Sequence, residues 1–454
     1  MICMTTIDRT RLAAALAEEE QRFSIAHPRS RELFEQAQAN LLGGVPMNWM
    51  MKWASPFPIF VREASGARFT DVDGHTYVDL CLGDTGAMTG HAPSPATEEI
   101  AEQLRRGVTF MLPTEDVIWV GRELERRFGL PYWQFALTAT DANRFALRLA
   151  RQVTGRPLVL VFNFCYHGTV DETFISLQDG GPISRPGNTG APVDPTLTTR
   201  VVEFNDIPAL EAALAPGDVA CVLAEPALTN VGIVLPEPGY HEALREITRR
   251  TGTLLIIDET HTICAGPGGY TQAHGLEPDI LTLGKPIASG VPAAVYGFTA
   301  DVVERIRQRA RLDEEEPSGI GGTLAGNALS IAAIKATLQN VLTPPAYERM
   351  ISLAERYTAG VQAVIDEFAL PWCITRLGCR AEYVFQPTPP RNGGEAHASE
   401  DPMLDRYLHL AALNRGVLLT PFHNMALMSP YTTTADVDQH TRAFRESVAT
   451  LIAS

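Results

Sequence analysis

Two short apolar runs, each followed by a reactive side chain, constrain the fold of this chain more than any other feature. Residues 253–257 form an apolar run that ends at Asp258, and residues 280–283 form another that leads to Gly284 and Lys285. Runs of this length, bounded by charge or a turn, predict buried strands. Ligands bind at the carboxyl ends of strands in open α/β sheets, so a carboxylate and an amine are expected in one cavity. A partly desolvated amine there can lose its proton and form a Schiff base with an aldehyde.

Taken alone, Lys285 is more typical of a solvated turn than of a reactive site. A phosphate-binding P-loop is excluded because Asp279 and Pro286 occupy positions that require Gly and Ser or Thr. The function of the lysine therefore depends on what else lies at the same edge of the sheet.

Strands and helices alternate from about residue 95, which predicts a mostly parallel sheet covered by helices. The predicted strands are 158–162, 220–224, 253–257, 280–283 and 293–298, and a helix is predicted between Thr138 and Gly155. Asp71 to Gly74 is a hairpin signal, and the Gly- and Pro-rich residues 179–195 predict a long surface loop. We expect an N-terminal segment (1–75) that contributes to a small domain and the active-site entrance, a large domain (76–335) and a C-terminal small domain (336–454).

Charge and composition limit the partners of the chain. A net charge of −16 argues against nucleic acid and anionic membranes as partners, and no apolar run approaches the length of a membrane span. Seven scattered cysteines predict reduced thiols in a cytoplasmic protein. The 11 histidines lack metal-ligand spacing, so no metal is predicted.

Four further features follow predicted strands or begin helices. Thr138, Ala139 and Thr140 open a helix, whose free N–H groups suit a phosphate, although simple capping by Thr explains the same pattern. Tyr166 follows a strand, where it can stack on a planar ligand or lie buried under a loop. The other two features are Glu225 with Asn230, at a third strand end, and Thr323 in a Gly-rich segment. A phosphate cup, a stacking aromatic, a carboxylate and one strand-end lysine together predict pyridoxal 5′-phosphate as cofactor.

The ordered motifs resemble those of a known family. They are Gly43-Gly44-Val45, Asp71-Val72-Asp73-Gly74, Thr138-Ala139-Thr140-Asp141-Ala142, Tyr166-His167-Gly168, Asp258-Glu259, Thr282-Leu283-Gly284-Lys285, Gly322-Thr323-Leu324-Ala325-Gly326-Asn327 and Gly416-Val417. The chain resembles the class III aminotransferases of fold type I, most closely glutamate-1-semialdehyde 2,1-aminomutase and related ω- and β-amino acid transaminases. The resemblance implies a large α/β domain with a central, mostly parallel sheet and a smaller α+β domain built from both chain ends.

The resemblance also implies roles for individual residues. Lys285 would form the covalent link to the cofactor, Asp258 would pair with its ring nitrogen, and Tyr166 would stack on the ring. Ala139 and Thr140 would hold the phosphate, with Thr323 reaching it from the neighbouring subunit of an obligate homodimer. The remaining cofactor-site residues are predicted to be Thr138, His167, Glu225, Asn230 and Thr260.

The chain departs from the family pattern at the positions that hold substrate. Met50 stands where the semialdehyde enzymes have an arginine, and Thr420 and Leu427 replace the arginines of other transaminases. An unpaired buried carboxylate costs a few kcal/mol, so we expect an apolar or bulky amine, or a carboxylate held by Lys52 or Arg380. The predicted pocket wall consists of Trp49, Met50, Met51, Lys52, Trp53, Phe422 and His423.

The sequence therefore predicts a pyridoxal phosphate-dependent aminotransferase that moves an amino group from a donor to a keto acid or aldehyde in two half-reactions. The alternative is an intramolecular 2,1-aminomutase, which needs no external acceptor, and a racemase or epimerase is a weaker third. A catalytically dead binding protein would have lost Lys285 or Asp258, and both are present.

Overall fold

The computed structural model describes residues 6–310 and 319–452. The helices are α1 (Arg9–Ala26), α2 (Pro28–Ala37), α3 (Ser94–Arg106), α4 (Asp116–Phe128), α5 (Ala139–Thr154), α6 (Ile207–Leu214), α7 (Tyr240–Thr251), α8 (Gly269–His274), α9 (Ala300–Ala310), α10 (Ala328–Asn340), α11 (Pro344–Glu367), α12 (Gly393–Ala398), α13 (Pro402–Asn414) and α14 (Thr434–Ile452). The strands are β1 (Val61–Ser65), β2 (Arg68–Asp71), β3 (Thr76–Asp79), β4 (Tyr132–Ala136), β5 (Leu158–Phe162), β6 (Ile175–Gln178), β7 (Gly181–Ser184), β8 (Thr199–Val202), β9 (Val219–Ala224), β10 (Leu254–Asp258), β11 (Ile280–Leu283), β12 (Ala294–Phe298), β13 (Cys373–Leu377), β14 (Arg380–Val384), β15 (Val417–Leu418) and β16 (Met425–Leu427).

The chain forms two compact units. The first contains the residues up to Pro93, Glu348–Pro389 and the residues from Ser399 onward, and the second contains Ser94–Tyr347 and Pro390–Ala398. The boundaries at 93/94 and 347/348 lie later in the chain than the predicted ones at 75/76 and 335/336. A short piece of the C-terminal region also returns to the second unit, which sequence patterns did not indicate.

The second unit is built on a seven-stranded sheet with the order β4-β12-β11-β10-β9-β5-β8. Five neighbouring strands, from β11 to β8, are parallel, and β12 runs antiparallel to both β11 and β4. Strands β9, β10 and β11 are buried along their whole length, as expected for parallel strands covered on both faces. The predicted mostly parallel sheet is confirmed, and the five predicted strands are present with ends that differ by one residue at most.

Helix α5 starts at the edge of this sheet that carries the predicted site. The Thr138 hydroxyl accepts a hydrogen bond of 3.2 Å from the backbone N–H of Asp141, which caps the helix. Gly155 ends it in the left-handed conformation, with φ of 71°. The face between these ends is apolar and packs into the core of the second unit through Ala142, Phe145, Ala146, Leu149, Ala150 and Val153.

The predicted surface loop at 179–195 is partly wrong. Strands β6 and β7 form an antiparallel hairpin that occupies the start of this segment. Asp179 and Gly180 make the turn, both with positive φ, of 51° and 78°. Asp-Gly is the strongest short hairpin signal, and the abundance of Gly and Pro further along the segment obscured it.

The first unit contains a four-stranded sheet, β1-β2-β3-β15, and a three-stranded sheet, β13-β14-β16. The predicted hairpin at Asp71 to Gly74 joins β2 to β3. Six cysteines of the two units are buried thiols, Cys81, Cys165, Cys221, Cys264, Cys373 and Cys379, and Cys3 lies outside the described residues. Within residues 6–310 and 319–452, no helix combines the length and the apolar character that crossing a membrane requires.

Candidate active site

Asp258 and Lys285 lie at the ends of neighbouring strands. Strands β10 and β11 are parallel, and their register places Asp258 opposite Thr282. Lys285 is half-buried and begins a short 3-10 helix, Lys285–Ala288. Its φ of 48° is in the left-handed region, where a residue with a side chain costs about 1–3 kcal/mol. The fold thus has a strained backbone conformation at the residue that places this amine at the end of a buried strand.

Three hydrogen bonds hold the Asp258 carboxylate. Asn143 Nδ2 and His167 Nδ1 lie 2.8 Å and 2.9 Å from Oδ2, and the backbone N–H of Thr260 donates to Oδ1 at 3.0 Å. Burial alone would raise the pKa of Asp258, but the hydrogen bond and charge of His167 and the bonds from Thr260 and Asn143 lower it to about 2. The carboxylate is therefore ionised at neutral pH although only 3% of the residue is exposed.

His167 is the charged partner of this carboxylate. Burial opposes protonation of the ring, yet the neighbouring Cys165 and the hydrogen-bonded Asp258 raise the pKa of His167 well above its ordinary value. We attribute the direction chiefly to Asp258, whose carboxylate lies 2.9 Å from His167 Nδ1. Within the described residues, His167 Nε2 is buried without a hydrogen-bond partner. His167 was predicted as a cofactor-site residue, and the structure places it against Asp258.

Asn143 is a site residue that the sequence did not reveal. It is fully buried on α5, its Nδ2 also bonds the His167 carbonyl at 3.2 Å, and its Oδ1 accepts a 2.6 Å hydrogen bond from the Thr282 hydroxyl. The side chain thus joins α5, β11 and the segment after β5 to Asp258. A single Asn in an otherwise apolar helix face was the only signal for it.

The N-terminus of α5 lies close to the turn before Lys285. A Cβ added at Gly284 would lie 3.0 Å from the Ala139 Cβ and 3.2 Å from its nitrogen. On the other side, Thr140 Oγ1 accepts a 3.1 Å hydrogen bond from the Thr169 N–H, and a Cβ at Gly168 would lie 2.0 Å from this oxygen. Two glycines therefore allow three segments to meet at a helix start, whose first N–H groups have no acceptor inside the helix.

Other predicted cofactor-site residues follow the ends of other strands of this sheet. Glu225 follows β9 and is buried, and it accepts hydrogen bonds from Thr229 and, at 3.3 Å, from Asn230. Burial raises the pKa of Glu225, while the charge of His167 opposes the shift and that of Asp258 adds to it. Tyr166 is half-buried directly before His167. Thr138 is exposed, and its hydroxyl is bonded to Asp141.

Glu259 and His261 were given no role from the sequence. The buried Glu259 carboxylate accepts hydrogen bonds from Thr262 Oγ1 at 2.6 Å and from the N–H groups of Tyr270 and Thr271. It therefore fixes the segment after β10. His261 follows in this segment, and its Nε2 lies 2.7 Å from Lys285 Nζ.

Thr323 lies apart from this cluster. It is exposed and lines a separate cavity of about 320 Å³ in the second unit. The lining also includes Phe135, Asn327 and residues between Thr109 and Val117, and it contains neither Asp258 nor Lys285. Three apolar side chains beside this region are exposed, Met111 by 77%, Leu112 by 73% and Leu324 by 50%.

The predicted substrate-pocket residues belong to the first unit. The rings of Trp49 and Phe422 meet edge to face with centroids 5.1 Å apart, and Lys52 Nζ lies 5.7 Å and 5.6 Å from these two ring centroids. His423 Nδ1 lies 2.7 Å from a carboxylate oxygen of Glu382. Of the other predicted wall residues, Met50 is exposed and Trp53 is half-buried.

Lys52 and Arg380, the two cations expected to hold a substrate carboxylate, differ in solvent exposure. Lys52 is exposed, whereas Arg380 on β14 is fully buried. Thr420 and Leu427, which replace family arginines, are also fully buried. Lys52 is thus the more accessible of the two.

Three possible metal ligands of the first unit lie together. Single ligand atoms of His27, Asp71 and His75 lie within 4.8 Å of one another. Hydrogen bonds already use these atoms: His27 Nε2 lies 2.6 Å from Tyr77 Oη, and Asp71 Oδ2 lies 2.9 Å from Tyr77 Oη and 3.2 Å from His75 Nδ1. The network ties α2 to the β2–β3 hairpin, and the absence of a metal stays a prediction.

Comparison with known proteins identifies close similarities. A sequence profile of the class-III aminotransferases matches residues 49–448. Glutamate-1-semialdehyde 2,1-aminomutase from Sorangium cellulosum is 33% identical over 431 residues, covering 93% of this chain and 96% of that protein.

Solved structures agree with this similarity. A glutamate-1-semialdehyde-aminomutase from Pseudomonas aeruginosa PAO1 is 52% identical with a TM-score of 0.96, covering 98% of this chain and all of that one. A lysine-to-alanine variant of that protein was solved in complex with PMP. A β-phenylalanine aminotransferase from Variovorax paradoxus is 27% identical with a TM-score of 0.86, covering 96% of this chain and 97% of that one.

Proposed function

Because the chain belongs to the class III aminotransferase family, whose members use pyridoxal 5′-phosphate, we propose that it moves an amino group between small molecules. The donor is an amine or amino acid, and the acceptor is a keto acid or aldehyde. One observation carries the proposal: the ends of adjacent parallel strands present an ionised Asp258, held by three hydrogen bonds, and an amine, Lys285.

The residues of the second unit fit this cofactor. A cationic ring nitrogen needs a permanent negative charge beside it, and the low pKa of Asp258 supplies one at neutral pH. A phosphate needs N–H donors, and the start of α5 supplies them at Ala139 and Thr140. The Thr260 hydroxyl is buried without a hydrogen-bond partner in the part of the chain that the structure describes. A buried hydroxyl of this kind favours a ligand that completes the site.

Different residues of the chain supply different parts of the chemistry. When bound, pyridoxal phosphate supplies an electron sink for the electrons left when a substrate C–H bond breaks. Lys285 would hold the cofactor aldehyde through its amine, and its Nζ would accept a proton from the substrate carbon. Asp258 holds the ring protonated, and Asn143, His167 and Thr260 keep this carboxylate oriented.

An intramolecular 2,1-aminomutase is the second candidate, and the similarity to two proteins named for that reaction favours it. Against it stands Met50, which is exposed where the resemblance leads us to expect an arginine for the substrate carboxylate. The two functions differ in one requirement, because the aminomutase needs no external amino acceptor.

The test is a set of turnovers with the purified, cofactor-loaded protein. Amines and amino acids, apolar amines among them, are added with and without a keto acid, and the absorbance of the bound cofactor and the amino products are followed. We expect the cofactor spectrum to change with amines alone and net product to require the acceptor. Conversion of glutamate-1-semialdehyde without an acceptor, and no reaction with any apolar amine, would establish the aminomutase instead.

We also propose that the protein is a homodimer in which Thr323 completes the partner's cofactor site. The exposed Met111, Leu112 and Leu324, with the cavity they adjoin, support an apolar contact in this region. Six buried thiols support a reducing, cytoplasmic location.

A further inference from the structure

The Lys285 amine is in contact with a histidine. Lys285 Nζ and His261 Nε2 are 2.7 Å apart, a distance that requires one nitrogen to donate and the other to accept. Two adjacent positive charges in a mostly buried site would repel each other. The contact therefore provides a direct path for a proton between Nζ and Nε2.

The position of His261 is fixed by its neighbours. Only 4% of the residue is exposed. Glu259 lies two residues before His261, and its N–H donates a 2.9 Å hydrogen bond to the Thr282 carbonyl of β11. The Glu259 carboxylate accepts hydrogen bonds from N–H groups at the start of α8. The His261 carbonyl accepts a 3.3 Å hydrogen bond from the Cys264 N–H. A ring on a segment held at these points is preorganised rather than free to swing.

The other titratable groups of these strand ends have different partners. Asp258 is bonded to Asn143, His167 and Thr260, Glu259 to Thr262 and the α8 backbone, and Glu225 to Thr229 and Asn230. These carboxylates provide negative potential, and the His261 imidazole is in direct contact with the amine. A neutral imidazole is also the side chain best suited to exchange a proton near pH 7.

We propose that His261 acts through Lys285 as its proton partner. The imidazole accepts a proton from the ammonium so that the neutral amine can attack an aldehyde, and it returns the proton when the amine is released. In this transfer an N–H bond at Nζ breaks and one at Nε2 forms, and no electrons are exchanged with another reactant. The inference rests on the proposed function, because it assigns His261 to the amine that captures the cofactor.

The experiment measures how fast the apoprotein captures pyridoxal phosphate at different pH values, which is a readout independent of turnover. The first variant, H261Q, has a polar side chain that cannot take up a proton. The second, H261L, has a side chain that is neither polar nor able to take up a proton. The matched control is I263V, a conservative change at a buried position of the same segment. Circular dichroism identifies any variant that does not fold, and H261N then takes its place.

The wild type and I263V are expected to capture the cofactor with one pH profile. In H261Q and H261L, the rate at pH 7 should fall by at least about tenfold and recover as pH rises, because the amine must lose its proton to water instead. Wild-type rates and profile in both folded His261 variants would overturn the inference. A wild-type protein that never acquires the cofactor absorbance would instead refute the proposed function, so the two failures are distinguishable.

Discussion

The side-chain amide of Asn143 donates a hydrogen bond of 2.8 Å to the Asp258 carboxylate, and both groups are buried. Hydrogen bonds to buried charged groups contribute about 1.5–3 kcal/mol. We expect N143L to weaken pyridoxal phosphate binding by at least about tenfold, measured by absorbance titration. The matched control is T282V, which removes only the donor to Asn143 Oδ1 and should have a smaller effect. Equal affinities of wild type and folded N143L would show that this bond does not support the carboxylate.

The first unit should lose stability as pH rises because of Asp405. Burial raises the pKa of Asp405 to about 7, while the 2.8 Å hydrogen bond from Asn424 opposes the shift and the nearby Glu400 and Asp401 add to it. Between the ordinary pKa of 3.8 and about 7, the folded state binds more protons than the unfolded state, so the free energy of unfolding decreases with pH in that window.

The matched variant for this effect is D405N. Between pH 5 and pH 8, the free energy of unfolding of the wild type should fall by about 2 kcal/mol more than that of D405N, allowing for partial exposure of the Asp405 side chain. Urea unfolding at the two pH values measures the difference. Buried histidines of the same unit titrate in both proteins, so parallel pH profiles of the two would exclude this role for Asp405.

Gly284 should be required for the approach of β11 to α5. In G284A the new Cβ would lie 3.0 Å from the Ala139 Cβ, and a helix start cannot move away easily. We expect a cost of about 1–2 kcal/mol in unfolding free energy and weaker pyridoxal phosphate binding. The control is G266A, because that glycine has extended backbone and no neighbour within 4 Å of an added Cβ. If G284A and G266A bind cofactor equally well, the close approach of Gly284 to Ala139 is not required for cofactor binding.

Thr323 should act in the partner's site. If it does, T323A and K285A are each impaired, but a mixed dimer of the two contains one site with both native residues. Mixing and re-associating the inactive variants should therefore restore up to about a quarter to a half of wild-type activity, depending on how the subunits redistribute. Recovery would be absent if Thr323 served its own subunit or if the protein were a monomer in sedimentation experiments.

The sequence predicted the strands and the reactive residues at their ends, for physical reasons. Uninterrupted apolar runs such as 280–283 have few alternatives to a buried strand, and Thr138 and Gly155 mark the ends of α5 at both caps. Parallel strand ends meet at one edge of a sheet, so the sequence predicts Asp258 and Lys285 at the same edge. The phosphate cup, the stacking aromatic, the carboxylate and the lysine together indicate one cofactor, with which the family motifs agree.

The supporting residues could not be predicted in the same way. Asn143 and His261 make hydrogen bonds to partners 115 and 24 positions away in the chain, Asp258 and Lys285. Local sequence patterns do not indicate which residues form hydrogen bonds over such separations. The return of residues 390–398 to the second unit was missed for the same reason, because it depends on tertiary packing rather than on periodicity.

The central claim is that one amine, at Lys285, binds the cofactor aldehyde beside an acid that stays ionised. The most direct measurement is to load the protein with pyridoxal phosphate, reduce it with borohydride and locate the modified residue by peptide mass spectrometry. The account predicts a single stoichiometric modification on Lys285 and none in K285A. A colourless wild-type protein, or a label distributed over other lysines, would contradict it.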